Sequence, residues 1–153
     1  MSRTTFCLWL AHLGGLGRVP FAPGTVATVV AGIPVAFLLG GTSIHWALVV
    51  VSALVLASCY VSEVAERKAN RIDPQEIVID ELAGYLVTVI GFPPDWKTII
   101  LGLLLFRIFD ILKPWPVSLL NRKTPGGIWV VLDDVGAGVC AHIILWIILA
   151  AWP

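Results

Sequence analysis

The stretch Glu76-Ile77-Val78-Ile79-Asp80-Glu81-Leu82-Ala83-Gly84 places two adjacent carboxylates in a segment that is otherwise largely apolar as far as Phe92. Burying a carboxylate is costly unless a cation, a proton or a hydrogen-bond donor compensates its charge. Asp80 and Glu81 therefore predict a site, and the apolar sequence around them predicts the scaffold that encloses it.

The composition is typical of a membrane protein. The chain has 153 residues, of which 58% are hydrophobic and 13% charged, and its mean hydropathy is +0.93. The charged share is about half of that in an ordinary soluble domain. We expect one all-α domain over residues 1–153, a compact bundle of four to five transmembrane or membrane-embedded helices with a Gly/Pro-rich N-terminal loop. The formal net charge is zero, and no basic patch is interleaved with aromatic residues, so we expect no nucleic-acid partner.

The cysteines and the first residues predict neither cross-linking nor processing. Cys7, Cys59 and Cys140 are far apart in apolar surroundings, so we expect them to be packing residues rather than disulfide or zinc ligands. The apolar run in residues 1–15 is followed by no A-x-A cleavage site. We expect it to form a first or interfacial helix of the mature protein.

Residues 14–25 (GGLGRVPFAPGT) form a loop, because their prolines fix the backbone while their glycines free it. Thr25 stands directly before the apolar run from Val26 to Leu39. Its hydroxyl is predicted to cap that helix, with the free amides after Gly24 facing an anion. The alternative is a simple turn that leads into a membrane helix.

Two further helices follow in the sequence. The second apolar segment runs from His45 to Val61 and ends in a charged amphipathic tail. Asp73-Pro74-Gln75-Glu76 then combines a cap residue, a proline at the first helical position and an acid three residues after the cap, which predicts a helix that starts at Pro74. Asp80 and Glu81 would lie about two turns into it.

The last two predicted helices carry the remaining charges. Trp96 to Leu112 forms the fourth helix, about 25 Å long, and the spacing of Arg107, Asp110 and Lys113 places them on neighbouring turns of one face. A final apolar helix follows Asp133-Asp134 and ends near Trp152. Gly84 and Gly138 each lie four residues after an acid, where a glycine permits close approach of a backbone or a ligand. This similarity reflects either an internal repeat or a chance match.

The basic residues predict the topology. If the helices alternate in direction, Lys97 lies on one side and nine others lie on the opposite side: Arg3, Arg18, Arg67, Lys68, Arg71, Arg107, Lys113, Arg122 and Lys123. This asymmetry marks the cytoplasmic face. All acids except Asp95 lie on the same side, so the charges converge in one layer at the membrane boundary.

Crowded carboxylates beside basic residues suggest metal-assisted phosphoryl chemistry. Carboxylates repel one another unless a cation or protons hold them, and a hard divalent ion such as Mg²⁺ suits oxygen ligands. Basic residues at the edge then suit a phosphate. The alternative is that each acid only pairs with a neighbouring base. His12, His45 and His142 are isolated, so neither a phosphohistidine mechanism nor a Ser-His-Asp triad is supported.

At these residues the chain resembles the phosphatidylglycerophosphatase A family. The resemblance covers nearly the whole chain and rests on several motifs: a Gly-rich loop before Ala22-Pro23-Gly24-Thr25; Ile77-Val78-Ile79-Asp80-Glu81 with Gly84; Phe106-Arg107-Ile108-Phe109-Asp110 with Lys113-Pro114-Trp115-Pro116; Gly126-Gly127; and Asp133-Asp134 with Ala137-Gly138. Asp73 and Arg122 also match the family's pattern, whereas Arg18 and Glu76 depart from it.

The resemblance implies a multi-pass enzyme of the bacterial inner membrane whose active site faces the cytoplasm. It implies Mg²⁺-dependent hydrolysis of phosphatidylglycerophosphate to phosphatidylglycerol and inorganic phosphate, in phospholipid biosynthesis. The expected partners are this substrate and membrane lipids, with no obligate protein partner.

We expect the metal ligands and the base to come from five carboxylates: Asp80, Glu81, Asp110, Asp133 and Asp134. Lys113 completes the predicted catalytic set. The phosphate is expected to contact Arg107 and Lys113, with Arg122, Gly24 and Thr25 as further substrate-binding residues. A covalent aspartyl intermediate is an open alternative to direct attack by water.

Two other functional classes fit parts of the pattern. An ion or proton transporter also buries acids in helices, but it would place them near the bilayer midplane rather than at one boundary. A lipid-phosphate alcohol transferase also needs clustered aspartates and a metal. It would carry a long Asp-Gly-x2-Ala-Arg run, which this sequence lacks.

Overall fold

The computed structural model describes residues 2–120 and 125–151, and all the regular secondary structure in those residues is helical. This confirms the predicted all-α class. The α-helices are α1 (Arg3–Ala11), α2 (Pro23–Ala27), α3 (Ile33–Gly40), α4 (Ile44–Ala69), α5 (Ile79–Val89), α6 (Trp96–Leu112) and α7 (Gly127–Ala151). A wide helical turn over Thr28–Gly32 joins α2 to α3, and short 3-10 turns lie at Leu13–Arg18 and Val117–Leu119.

Three helical segments in the described chain are long and apolar enough to cross a membrane: Pro23–Gly40, Ile44–Ala69 and Gly127–Ala151. α6 has 17 residues and α5 has 11, so they are shorter than a full span. The predicted compact bundle of membrane helices is therefore confirmed, and the described chain contains three helical segments of spanning length.

The short helix α5 lies at the centre of the bundle and packs against α4, α6 and α7. Nine of its eleven residues are buried. Tyr85 and Phe106 are fully buried where α5 meets α6, and the Tyr85 hydroxyl donates a hydrogen bond to the carbonyl oxygen of Ile99 at 3.3 Å. Because α5 is enclosed on all sides, it needs apolar residues around its whole circumference except where Asp80 and Glu81 face the site.

Gly84 of α5 and Gly138 of α7 lie at the contact between these helices. A Cβ atom on Gly84 would lie 2.6 Å from the carbonyl oxygen of Asp134, and one on Gly138 would contact the carbonyl oxygen of Gly84. The Thr88 hydroxyl donates to Gly84 at 3.0 Å, with the carbonyl of Gly138 at 3.4 Å. The predicted close approach at both glycines is confirmed, and each allows the other helix to come near.

The prediction that the third helix starts at Pro74 is wrong. α5 starts at Ile79, and Asp73 has a left-handed backbone with φ +48°. Pro74 instead begins a turn closed by the Ile77 amide, which donates to the carbonyl of Pro74 at 2.9 Å. Asp80 and Glu81 therefore lie in the first turn of their helix. Because Asp73 does not directly precede this helix, its side chain does not cap it and lines the site instead.

Two other predicted helix starts also differ. Ala22 precedes the first residue of α2, so the prediction that Thr25 caps this helix is wrong. Pro23 fixes the backbone at the first helical position, and Thr25 is therefore the third residue of the helix. α7 starts at Gly127, which makes Asp133 and Asp134 its seventh and eighth residues rather than its first.

The cysteines form no disulfide. Cys7, Cys59 and Cys140 are all free thiols, and Cys7 belongs to a buried apolar cluster between α1, α4 and the segment before α5. This agrees with the prediction that they pack. Trp152, where the last helix was expected to end, lies outside the described residues.

Candidate active site

A cavity of about 350 Å³ lies where the α2 loop, the start of α5, the end of α6 and the first half of α7 meet. Its charged lining consists of Asp73, Asp80, Glu81, Arg107, Asp110, Lys113, Asp133 and Asp134, and Gly24 also borders it. The structure therefore brings together all five predicted carboxylates with Arg107 and Lys113, although their positions in the sequence span more than fifty residues.

Three of the carboxylates form a tight cluster. One oxygen each of Asp80, Glu81 and Asp134 lies within 4.8 Å of the others. Asp80 is 4% exposed and Asp134 5%, and the second oxygen of Glu81, Oε2, is buried without a hydrogen-bond partner among the described residues. Carboxylates this close repel one another unless a cation or protons hold them, so the cluster fits a cation with oxygen ligands.

The two cations of the cavity are each held by a carboxylate. Arg107 Nη1 lies 2.8 Å from Asp110 Oδ2 and 3.9 Å from Glu81 Oε1. Lys113 Nζ pairs with Asp133 Oδ2. Arg107, Asp110 and Lys113 all line the cavity, which confirms their predicted placement on one face of the fourth predicted helix, α6. Lys113 directly follows the last residue of that helix.

The cavity is strongly acidic. Six carboxylates and two cations line it among the described residues, which leaves a formal charge of −4. A phosphate monoester carries up to two negative charges, so it would be repelled from this lining unless additional positive charge were bound. The electrostatics thus favour a bound cation, or protons held by the carboxylates, before any phosphate can enter.

Gly24 is where the N-terminal loop meets the carboxylates. A Cβ atom on Gly24 would overlap the carboxylate of Glu81 and lie 3.2 Å from Arg107 Nη1. Only a glycine allows the backbone of α2 to approach this closely, so the loop before α2 forms one wall of the cavity.

Backbone strain is concentrated at the same place. Five non-glycine residues in the described chain have positive φ angles, and three of them, Ala22, Asp73 and Lys113, line the cavity. Such conformations persist only where surrounding contacts enforce them, and they cluster at functional sites. Solvent loss at the cavity raises the pKa of Asp73; Lys113 opposes this shift, whereas Glu66 and Asp110 add to it.

Comparison with known proteins assigns the chain to a family. The sequence model of the family described as PgpA, phosphatidylglycerophosphatase A, matches residues 9–149. The chain belongs to the phosphatidylglycerophosphatase A family. It is therefore a phosphatase by family membership, which confirms the resemblance drawn from the sequence motifs.

Three relatives have similar sequences over most of their length. Phosphatidylglycerophosphatase A of Escherichia coli is 34% identical over 91% of this chain and 81% of its own. Phosphatidylglycerophosphatase A of Haemophilus influenzae is 30% identical over 88% of this chain and 83% of its own. A Bacteroides thetaiotaomicron protein provisionally named a phosphatidylinositol-3-phosphatase is 35% identical over 99% of this chain and 98% of its own. No solved structure matches the chain.

The structure does not support one of the substrate-binding residues predicted for this phosphatidylglycerophosphatase A family member, and it does not describe another. Thr25 is not among the described residues that line it, because α2 starts before Thr25 and directs Gly24 inward. Arg122 lies outside the described residues. His142 packs away from the cavity: its Nδ1 lies 3.1 Å from the carbonyl oxygen of Thr88, and its ring packs against Phe92.

The predicted catalytic set lacked residues that line the cavity or hold its surrounding backbone in place. Asp73 lines the cavity, and the match of this residue to the family's pattern was the available signal. Glu66 of α4 is 5% exposed and accepts hydrogen bonds from the amides of Asp73 at 2.7 Å and Gly126 at 2.9 Å. Glu63 accepts from the amide of Gly127 at 2.7 Å. These contacts fix the start of α7 and the turn at Asp73, and no local pattern on α4 indicates them.

Proposed function

We propose that the chain is a Mg²⁺-dependent phosphatase that hydrolyses phosphatidylglycerophosphate to phosphatidylglycerol and inorganic phosphate in phospholipid biosynthesis. The observation that carries this proposal is the cluster of Asp80, Glu81 and Asp134, whose two aspartates are buried, in one cavity with Arg107 and Lys113. The names of the Escherichia coli and Haemophilus influenzae relatives support the substrate.

Asp80, Glu81 and Asp134 would hold the metal, with Asp110 beside them. Bound Mg²⁺ polarises a phosphate oxygen and lowers the pKa of a coordinated water. Asp133 is the fifth predicted ligand, and its pairing with Lys113 through Oδ2 leaves Oδ1 buried without a hydrogen-bond partner among the described residues. That oxygen is suited to accept a proton from the attacking water.

Arg107 and Lys113 would contact the terminal phosphate. Both reach the cavity while held by carboxylates, so their positions are set before the substrate arrives. Ala22 provides no side-chain cap to α2, which leaves the amides of Gly24 and Thr25 as donors to a phosphate oxygen. We include Arg122 in the proposed contacts because of its sequence position between α6 and α7.

The reaction breaks the bond between phosphorus and the glycerol oxygen while the water oxygen bonds to phosphorus. The proton that Asp133 or Asp110 takes from the water passes to the leaving alkoxide, so the products are an alcohol and inorganic phosphate. Neither carboxylate has to act as a nucleophile in this route. The alternative with an aspartyl intermediate adds a second hydrolysis step at the same carboxylates.

We infer that the site lies at the cytoplasmic face of the inner membrane, and the distribution of basic residues supports this inference. The acyl chains of the lipid would stay in the bilayer while its phosphomonoester reaches the cavity. All residues invoked belong to one domain in one chain, and the proposal needs no protein partner.

A second substrate is suggested by the Bacteroides thetaiotaomicron relative, whose name refers to phosphatidylinositol 3-phosphate. That lipid also carries a phosphomonoester on a glycerophospholipid headgroup. Its inositol ring is bulkier than glycerol, so the approximately 350 Å³ cavity must accommodate more atoms beside the phosphate.

The deciding experiment measures inorganic phosphate released by the purified full-length protein in detergent micelles. Phosphatidylglycerophosphate and phosphatidylinositol 3-phosphate are compared at equal mole fraction, with Mg²⁺ and with EDTA. We expect phosphate release from phosphatidylglycerophosphate with Mg²⁺ and its loss with EDTA. Release only from the inositol lipid would transfer the proposal to that substrate, and equal release in EDTA would remove the metal from it.

A further inference from the structure

A second cavity, of about 310 Å³, lies directly behind one wall of the candidate active site. The wall is the segment 73–77, in which neighbouring residues face opposite ways. Asp73 and Gln75 line the active-site cavity, Pro74 and Glu76 line the second one, and Ile77 borders both. The catalytic chemistry uses none of the side chains that are specific to the second cavity.

The charge of this second cavity is opposite in sign to that of the active site. Arg18, Lys68 and Arg71 line it together with one carboxylate, Glu76, so its formal charge is +2. Glu76 lies 4.0 Å from Arg71, whose side chain is exposed, while that of Glu76 is partly exposed. Arg18 belongs to the N-terminal loop, Lys68 to the end of α4 and Arg71 to the residues after α4. Separate parts of the chain therefore contribute positive charge to one concave surface.

His12 adds hydrogen-bonding capacity without adding charge. It is half-buried at the end of α1 and lines the cavity. Burial lowers the pKa of His12, the neighbouring Arg18 lowers it further, and Glu76 opposes the shift. The lowered pKa favours the neutral imidazole, so the positive charge of the cavity comes from the arginines and the lysine.

The position of the cavity along α4 places it at the membrane boundary, independently of any enzymatic activity. The apolar part of this candidate membrane span ends where the charged residues begin, and Lys68 lies in its last turn. Basic residues at the end of a membrane helix lie at the level of the lipid headgroups. α1 exposes Phe6 and Trp9 beside the cavity residue Leu8, which suits a helix lying in the interface.

We propose that this second cavity binds the headgroup phosphate of an anionic phospholipid. Arg18, Lys68 and Arg71 contact the phosphate, while Leu8 and Ala65 contact the glycerol and the first acyl methylenes. Basic pockets beside membrane helices recognise anionic headgroups in this way, through guanidinium and ammonium groups that match phosphate oxygens. A free phosphate ion has the same chemistry, but the apolar residues at the cavity and on α1 favour a lipid.

The test is native mass spectrometry of the protein released from detergent micelles, titrated in separate experiments with phosphatidylglycerol, phosphatidylcholine or inorganic phosphate. The variant is the double substitution Arg18→Gln and Lys68→Gln, and the matched control is Arg3→Gln, which removes a basic residue of α1 outside the cavity. We expect a single tightly bound phosphatidylglycerol in the wild type and in the control. The double variant should bind it roughly thirtyfold more weakly, as two lost contacts between basic residues and anionic lipid predict.

Several outcomes would overturn the proposal. These are wild-type affinity in the double variant, an equal loss in Arg3→Gln, or equal affinity for phosphatidylcholine. Binding of inorganic phosphate with no binding of phosphatidylglycerol would assign the cavity to the free ion. The melting temperature of each variant in detergent checks folding; if the double variant is unfolded, Lys68→Gln alone is measured, because Lys68 is exposed. In the wild type, binding should also fall at about 1 M salt, where the screening length is about 3 Å.

Discussion

Gly84 of α5 and Gly138 of α7 contact each other through their backbones, one helical turn beyond the carboxylates of Asp80 and Asp134. This glycine contact sets the separation of the two helices. It therefore also sets the distance between the carboxylates that they carry into the site.

Gly84→Ala should separate the two helices. The added methyl group would lie 2.6 Å from the carbonyl oxygen of Asp134, so α7 must move away, at a cost of about 1–3 kcal/mol of stability. A shift of this kind displaces Asp134 from Asp80 and should lower phosphate release roughly a hundredfold. Thermal unfolding in detergent and kcat/KM measure the two effects.

The control for this substitution is Gly41→Ala. Its added methyl group would find no atom nearer than 3.6 Å, and its φ is −80°, so stability and activity should stay unchanged. An active Gly84→Ala protein with normal kcat would show that the glycine contact does not position the carboxylates.

Asp80→Asn should abolish turnover and leave the fold intact. The substitution keeps the side-chain shape but removes a charge from the three-carboxylate cluster, which should lower Mg²⁺ affinity and reduce kcat at least about a hundredfold. Isothermal titration with Mg²⁺ and phosphate release are the measurements. Near-normal kcat would remove Asp80 from the ligand set.

Asp95→Asn is the matched acid-to-amide control. Asp95 caps α6 by accepting the Thr98 amide at 2.9 Å, and asparagine caps helices about as well. We expect normal Mg²⁺ affinity and normal kcat.

Lys113→Ala should chiefly weaken substrate binding. Its ammonium group reaches the cavity beside Asp133, and one lost charge-assisted hydrogen bond to phosphate is worth roughly tenfold or more in KM. Steady-state kinetics gives KM, and titration gives Mg²⁺ affinity. If KM were unchanged and only Mg²⁺ affinity fell, Lys113 would act on the metal and not on the phosphate.

Glu66→Gln should destabilise the protein although Glu66 lies outside the cavity lining. The buried carboxylate accepts hydrogen bonds from the amides of Asp73 and Gly126. A glutamine amide has one acceptor oxygen, so one of these donors would face an NH₂ group, at a cost of about 1–3 kcal/mol. Thermal unfolding in detergent should show a lower Tm.

Glu63→Gln is the matched comparison for Glu66→Gln. Glu63 accepts the Gly127 amide but is paired with the exposed Arg67, so water can compensate for part of the loss. We expect a smaller fall in Tm than for Glu66→Gln. An equal or larger fall would mean that Glu66 does not have a special role in joining α4 to the start of α7 and the turn at Asp73.

The sequence by itself predicted the membrane character, the all-helical class and seven of the eight charged residues that line the active-site cavity, Asp73 being the exception. These follow from composition, from hydrophobic segment length and from motifs whose chemistry is local. α6 was predicted with its observed limits, because Asp95 caps its start and two prolines follow its end.

Only the tertiary structure decided where α5 starts, which of the carboxylates cluster together, and which backbone amides Glu66 binds. Asp73-Pro74-Gln75-Glu76 has the pattern of a helix start, yet Glu66, from another helix, holds the Asp73 amide and the chain turns there instead. The sequence also treats five acids alike. In the fold, Asp80, Glu81 and Asp134 form a cluster, whereas Asp110 lies 2.8 Å from Arg107 and Asp133 pairs with Lys113. Arg107 also lies 3.9 Å from Glu81 at the edge of the cluster. Contacts between distant segments produce both outcomes, so local pattern and propensity do not predict them.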